Sequence, residues 1–281
     1  MINMLKRTAT LAAIVTGLGM AGQGCYATTN SIRDSSIEIE RSAESSIEDI
    51  LKSVHCMKVN TKYTPTDPDL SAITPETEGY GTIFAFSKDN EYTYFLTAGH
   101  MVRKTDKTVE HPLLGEMKVS SVRYSIVENA LDEKSDDDIS LDMFFRSESM
   151  DIAVFRAKTQ MHVSTSYGAI DQKDLHVGES VYVTGYPRGA MRFLSIGTIG
   201  NLTGVPNKDI EDEPTPIIAD VENMPGNSGS PMFVRRGDKF YFIGVVVSTF
   251  GHLTRAIGVS SIDGQLPRGG EGYTSPVLRA K

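Results

Sequence analysis

Cysteine is scarce, with 2 among 281 residues, which excludes a scaffold held by several disulfides. Positive charge is the minority sign: 28 Lys and Arg face 36 Asp and Glu, for a net charge of -8. That balance argues against a nucleic-acid partner, whose binding would rest on clustered Lys and Arg. No apolar run reaches the roughly 20 residues that an internal membrane span needs. What is present is ordinary for a globular chain, 40% hydrophobic and 23% charged. The length suits one large domain or two small ones.

The start of the chain reads as a targeting segment. Lys6 and Arg7 precede residues 8–22 (TATLAAIVTGLGMAG), which are uncharged and apolar or small. Residues 1–24 are therefore expected to be a signal peptide for export. Gly24-Cys25 is similar to the end of a bacterial lipobox, which would make Cys25 a lipidated first residue at the cell envelope. The family pattern wants an aliphatic residue where this chain has Gly22. Cleavage after Ala27 and simple secretion is the rival. Such a lipid is the only membrane contact expected. Cys56 is expected to be a small buried hydrophobe rather than a nucleophile.

Residues 25–53 are expected to form a tether and an amphipathic helix. Ala43, Ile47, Ile50, Leu51 and Val54 share one helical face. That face suits packing against the domain, with a partner-binding helix as the alternative. Beyond it the pattern is β. Segments 81–87 (GTIFAFS) and 91–97 (EYTYFLT) flank a polar turn and read as a hairpin. Segments 117–127, 152–156, 180–184, 192–198, 216–220, 239–248 and 255–259 also read as strands. Short strands between Gly, Pro, Asn and Asp indicate an all-β sandwich or barrel. The acidic run 132–139 (DEKSDDDI) lacks calcium-loop spacing and reads as a solvated loop. Residues 266–281 read as a flexible tail.

Three separated elements carry chemistry. A β run ends in Thr97-Ala98-Gly99-His100. Asp151-Ile152-Ala153-Val154 opens a short buried strand. Gly226-Asn227-Ser228-Gly229-Ser230-Pro231 places a serine between glycines. Acyl transfer at serine needs a base near the hydroxyl, and imidazole suits that task. A carboxylate must fix the imidazole tautomer. Backbone N–H groups must face the developing oxyanion. Taken singly, the histidine could cap a strand and the aspartate or serine could be turn residues. Asp136, Asp138 and Asp142 are alternative carboxylates. His55, His111, His162, His176 and His252 lack a supporting motif and are expected to be surface or locally bonded residues. They share no metal-ligand spacing.

These motifs, in the order His, Asp, Ser, resemble the chymotrypsin-fold (trypsin-like) serine proteases. The Asn-containing serine motif and Thr184-Gly185-Tyr186-Pro187 are most similar to the bacterial glutamyl-endopeptidase and high-temperature-requirement branches. The likeness covers about residues 79–262. It implies two antiparallel six-stranded β-barrels following the amphipathic helix, with the first barrel over residues 54–160 and the second over 161–265. It implies His100, Asp151 and Ser228 as catalytic residues, and the N–H groups of Gly226 and Ser228 as the oxyanion hole. The activity implied is that of an exported serine endopeptidase acting on extended polypeptide, with no cofactor or metal.

The departures matter as well. Asn227 stands where digestive relatives carry Asp paired to a new N-terminus, so competence without that cleavage is expected. Residues 229–281 must supply the last strands, so a C-terminal peptide-binding domain is not expected within them. Glu222 falls near the family's primary pocket floor, with Ser248, Thr249 and Phe250 on its wall. A carboxylate there favours a basic side chain, whereas Phe250 narrows the pocket and Val247 replaces the histidine that acidic specificity uses. These cues conflict, and Glu222 also reads as a surface residue. A binding or latent protein on the same fold, or a triad esterase, remains the alternative. The sequence carries no signal for the oligomeric state.

Overall fold

The structure, a computed structural model, describes residues 46–105, 107–128, 138–203 and 214–266. The chain divides into a unit of residues 1–40, which holds none of these, and a unit of residues 41–281, to which everything below refers. The signal segment, Cys25, most of the acidic run and residues 267–281 therefore lie outside the described residues.

Helix α1 occupies residues 46–51. Ile50 is fully buried and Ile47 packs at the edge of the core, so the predicted apolar face does lie on the domain. The helix stops earlier than its apolar spacing suggests. Val54 leaves that face and opens β1 (Val54–Pro65), where it pairs with Phe84. A β-branched residue gains more there, between strands, than in a last helical turn. Side chains tie α1 down. Asp49 accepts hydrogen bonds from the hydroxyls of Ser164 (2.5 Å) and Ser166 (2.8 Å) and pairs with His162 Nε2 at 3.0 Å. Arg192 donates to the Leu51 carbonyl at 2.6 Å.

The first sheet comprises β1, β2 (Glu76–Lys88), β3 (Thr93–Ala98), β4 (Thr108–His111), β5 (Gly115–Val127), β6 (Ile139–Ser140), β7 (Asp142–Ser147) and β8 (Ile152–Ala157). Its order is β4-β5-β1-β2-β3-β8-β7, with β6 on β5. The segment 139–147 thus pairs with β8 at one end of the path and with β5, next to the other end, and the sheet curls into a half-barrel. The predicted hairpin is β2–β3. Every residue of β3 is buried, Thr93 and Thr97 included.

The second sheet comprises β9 (Tyr167–Ala169), β10 (Ser180–Gly185), β11 (Phe193–Asn201), β12 (Ile217–Asp220), β13 (Pro231–Arg236), β14 (Lys239–Phe250) and β15 (Leu253–Gly258). The β13–β14 pairing closes the path β13-β10-β11-β12-β15-β14 into a six-stranded barrel, and β9 adds in parallel to β14. The arrangement is a chymotrypsin-like double barrel, one barrel closed and the other a curled half-barrel. Residue 259, expected at a strand end, instead begins α2 (Val259–Gln265).

The two sheets share apolar packing. Phe84 of β2 meets Phe233 of β13 and Phe242 of β14, with ring centroids 5.9 and 5.5 Å away, and those two rings lie 5.7 Å apart. All three are buried. Each such ring contributes about 1.5–3 kcal/mol by burial, and close ring pairs add roughly 0.5–1.5 kcal/mol. This cluster fixes one barrel against the other and so fixes any site built from both.

A half-buried histidine packs against the core. His55 stands edge-on to Phe95 at 6.1 Å, and among the described residues its Nε2 has no hydrogen-bond partner. This differs from the expected surface or locally bonded histidine. Burial lowers its pKa from 6.5 to about 4, and the charges of Arg192 and His162 push the same way. The unfolded chain therefore takes up this proton first as pH falls. Stability from neutral His55 is complete above pH 6.5 and is lost as pH falls toward 4. By pH 5 the loss is about 2 kcal/mol. Urea unfolding at pH 7.5 and pH 5 should show this drop in the wild type and a smaller one in His55→Phe. An undiminished drop in the variant would contradict the assignment.

Candidate active site

The register of two strands brings the first two motifs together. β3 pairs with β8 so that Ala98 faces Ile152. His100, in the 3-10 turn Gly99–Met101 just after β3, and Asp151, just before β8, therefore share one sheet end. The Gly99 amide donates to the Asp151 carbonyl at 2.6 Å. A Cβ on Gly99 would lie 2.8 Å from the Asp151 carbonyl carbon, so only glycine permits this approach. Asp151 itself holds φ +54, a strained conformation for a residue with a side chain. It turns the carboxylate back onto His100.

Both carboxylate oxygens are used there. Oδ1 accepts from the His100 backbone N–H at 2.6 Å, and Oδ2 lies 2.8 Å from His100 Nδ1. An ionised carboxylate only accepts, so the ring proton sits on Nδ1. In the neutral ring Nε2 then carries the lone pair. It lies 2.8 Å from Ser228 Oγ.

Ser228 comes from the turn that precedes β13 in the closed barrel. The turn is fixed from both sides. The Gly229 amide donates to the Val246 carbonyl of β14 at 2.8 Å, and Thr82 of β2 donates its amide to the Ser228 carbonyl at 2.8 Å. Gly229 has φ +90, and a Cβ there would collide with the Thr82 carbonyl and Thr97 Oγ1. The glycine after the serine is thus demanded by conformation and by space.

The peptide groups around Ser228 are oriented one by one. The Pro225 carbonyl accepts from the Arg188 amide at 2.6 Å, and the Asn227 carbonyl accepts from the Ser230 amide at 2.9 Å. In a trans peptide the N–H points opposite the carbonyl. The amides of Gly226 and Ser228 are therefore turned away from those partners. Neither has a backbone acceptor among the described residues.

Sequence reasoning missed Thr82 and Arg188. No motif signals them, because their partners lie far along the chain. Arg255 of β15 was missed too: burial lowers its pKa, and the Asp151 charge acts in the opposite direction.

The specificity residues fare differently. Glu222 is exposed and lines a cavity of about 120 Å³ with Pro187, Phe193, Ser195, Met224 and Asn227. Ser248 and Thr249 do not line that cavity. The side chain of Phe250 and the residue Cys25 lie outside the described residues. Cys56 is buried, and burial raises its thiol pKa to about 12, which makes it inert. No group of three metal-ligating side chains occurs among the described residues, and none of their helices is long and apolar enough to cross a membrane.

The chain can now be set beside known proteins. Among solved structures it is similar to an HtrA-type protease, AlgW, with a decapeptide. Identity is 14% and the TM-score 0.57, with 78% of this chain and 64% of that one covered. The chain thus spans under two thirds of that protein. It is also similar to Deg5, at 20% identity and TM-score 0.53, with 81% of this chain and 93% of that one covered. At these identities the likeness is one of fold. No curated relative matches. The sequence matches the trypsin-like peptidase domain family over residues 81–245, a span that contains His100, Asp151 and Ser228. With more than half of its length inside that match and a chymotrypsin-like double barrel beneath the site, the chain belongs to the family of trypsin-like peptidase domains.

Proposed function

We propose that the protein is an exported serine endopeptidase that cleaves extended polypeptide through an acyl-enzyme. The observation that carries this is the unbroken line Asp151–His100–Ser228, two contacts of 2.8 Å in which each group has the role its chemistry allows. His100 Nε2 takes the Ser228 hydroxyl proton as Oγ bonds to the scissile carbonyl carbon. The carbonyl electron pair moves onto oxygen, where the amides of Gly226 and Ser228 receive it. His100 then returns its proton to the leaving nitrogen, the C–N bond breaks, and the acyl group stays on Oγ. Water repeats the sequence, with His100 as base, and releases the carboxylic acid and free Ser228. Asp151 holds the Nδ1 proton and stabilises the imidazolium at each stage.

Residues 1–24 support export, and Cys25 supports a lipid anchor at the cell envelope. Substrate would pair along an exposed strand edge, as extended peptides do. The test treats the purified mature protein with a fluorophosphonate probe, with casein and a small ester as substrates. Labelling of Ser228 with casein cleavage is expected. Ester hydrolysis without casein cleavage would make it an esterase. No labelling of the folded protein would leave a binding protein on the same fold.

A further inference from the structure

We infer that Thr82 is a positioning residue for the oxyanion site: its hydroxyl, supplied by the first sheet, clamps the Gly226 carbonyl and the Tyr186 amide in the second. The inference rests on the endopeptidase reading above. Thr82 is fully buried at the junction of the two sheets. Its Oγ1 donates to the Gly226 carbonyl at 2.8 Å and accepts from the Tyr186 amide at 2.9 Å. One hydroxyl proton and one lone pair meet both demands. Its amide donates to the Ser228 carbonyl at 2.8 Å, and its carbonyl accepts from Thr97 Oγ1 at 2.7 Å, three residues before His100.

The consequence is geometric. The Gly226–Asn227 peptide is held at both ends: its N–H, that of Asn227, donates to the Met224 carbonyl at 3.0 Å, and its carbonyl is held by the hydroxyl of Thr82. The Pro225–Gly226 peptide, which carries the Gly226 N–H, is held through Arg188, whose chain segment begins at Tyr186. The Thr82 hydroxyl therefore fixes both peptides that flank Gly226, one directly and the other through the 186–188 turn. Gly226, with φ +101 and no side chain, has no anchor of its own. Without the hydroxyl, a buried carbonyl and a buried amide lose their partner. The peptides then reorient to find others, and the oxyanion donor moves.

Thr82→Val keeps the shape and removes both hydrogen bonds, whereas Thr82→Ser keeps the hydroxyl. Thr82→Ala takes the place of T82V if that variant does not fold. The expected result for T82V is a fall in kcat on casein of roughly tenfold to a hundredfold, since a displaced donor costs up to what a deleted one does. KM should change by less than about threefold, because the clamp acts on the transition state rather than on peptide docking. Fluorophosphonate labelling of Ser228 should slow in parallel, T82S should lie near wild type, and the amide NMR signals of Gly226 and Ser228 should move in T82V alone. Wild-type labelling with equally fast labelling of T82V overturns the inference. If neither protein labels, the endopeptidase reading fails instead. The amide signals then still decide Thr82: unmoved signals in T82V overturn its role, and signals that move and are restored in T82S uphold it.

Discussion

Ser228→Ala should lower peptide hydrolysis on the order of a millionfold and abolish fluorophosphonate labelling, with little change in thermal midpoint. The rate follows from the geometry. Ser228 Oγ is the one nucleophile within hydrogen-bond distance of His100 Nε2 among the described residues. The stability follows from where the hydroxyl sits. Its partner ring is 45% exposed, so water replaces the lost bond and no buried group is orphaned. The Ser228 carbonyl keeps its bond to the Thr82 amide, and Gly229 keeps its bond to Val246. A residual acceleration over water of roughly a thousandfold or more should survive, since the Gly226 and Ser228 amides remain. His100→Ala should cost about as much, and the double variant little more than either single one, because the two groups act as a unit. Digestion of labelled casein and a thermal melt of each variant measure all of this. Undiminished digestion by pure Ser228→Ala protein would remove the proposed nucleophile.

The parts of the site legible in the sequence are those whose constraint is local. Gly229 must be glycine because of its own φ and its immediate surroundings, so the motif around Ser228 stands out. His100 and Asp151 each follow from a strand boundary, and β3 and β8 announce themselves by their apolar centres, Tyr94–Leu96 and Ile152–Phe155. Thr82 was legible only as a strand residue. Its partner Gly226 lies 144 residues away, and no local pattern reports which hydroxyl faces another sheet. β13 escaped because it opens on Pro231 and runs into Arg235 and Arg236. Its Phe233 and Val234 are buried all the same, since it closes the second barrel between β10 and β14. α2 escaped because Val-Ser-Ser-Ile-Asp-Gly-Gln is a poor helix by propensity. It forms because Val259 and Ile262 reach the core from one side. Glu222 lines a cavity with Asn227, but counting from Ser228 along the chain does not say which residues of other strands complete its wall: Pro187, Phe193 and Ser195 do so from far earlier in the sequence.

Asp151→Asn should lower kcat about ten-thousandfold while leaving the backbone path nearly unchanged. Two hydrogen bonds converge on this carboxylate, and an amide cannot serve both in the same way. The Asn oxygen must accept from the His100 backbone N–H, at 2.6 Å the shorter of the two contacts. Its nitrogen then faces His100 Nδ1 and, as a donor, requires Nδ1 to be the acceptor. The ring proton moves to Nε2, which points at Ser228 Oγ with no lone pair to receive its proton. The flipped amide restores the tautomer but sets N–H against N–H at the backbone contact. The variant is thus held in an inactive tautomer by the same bond that positions the loop. Asp151→Ala removes that lock along with the carboxylate, so its ring is free to take either tautomer. It should retain more activity than Asp151→Asn if tautomer control dominates, and less if orientation of the ring dominates. Proton-coupled 15N NMR of the His100 ring separates the two effects: a proton on Nε2 in Asp151→Asn and on Nδ1 in the wild type is the expected pattern. A wild-type ring protonated only at Nε2 at neutral pH would overturn the roles given to Asp151 and His100 together.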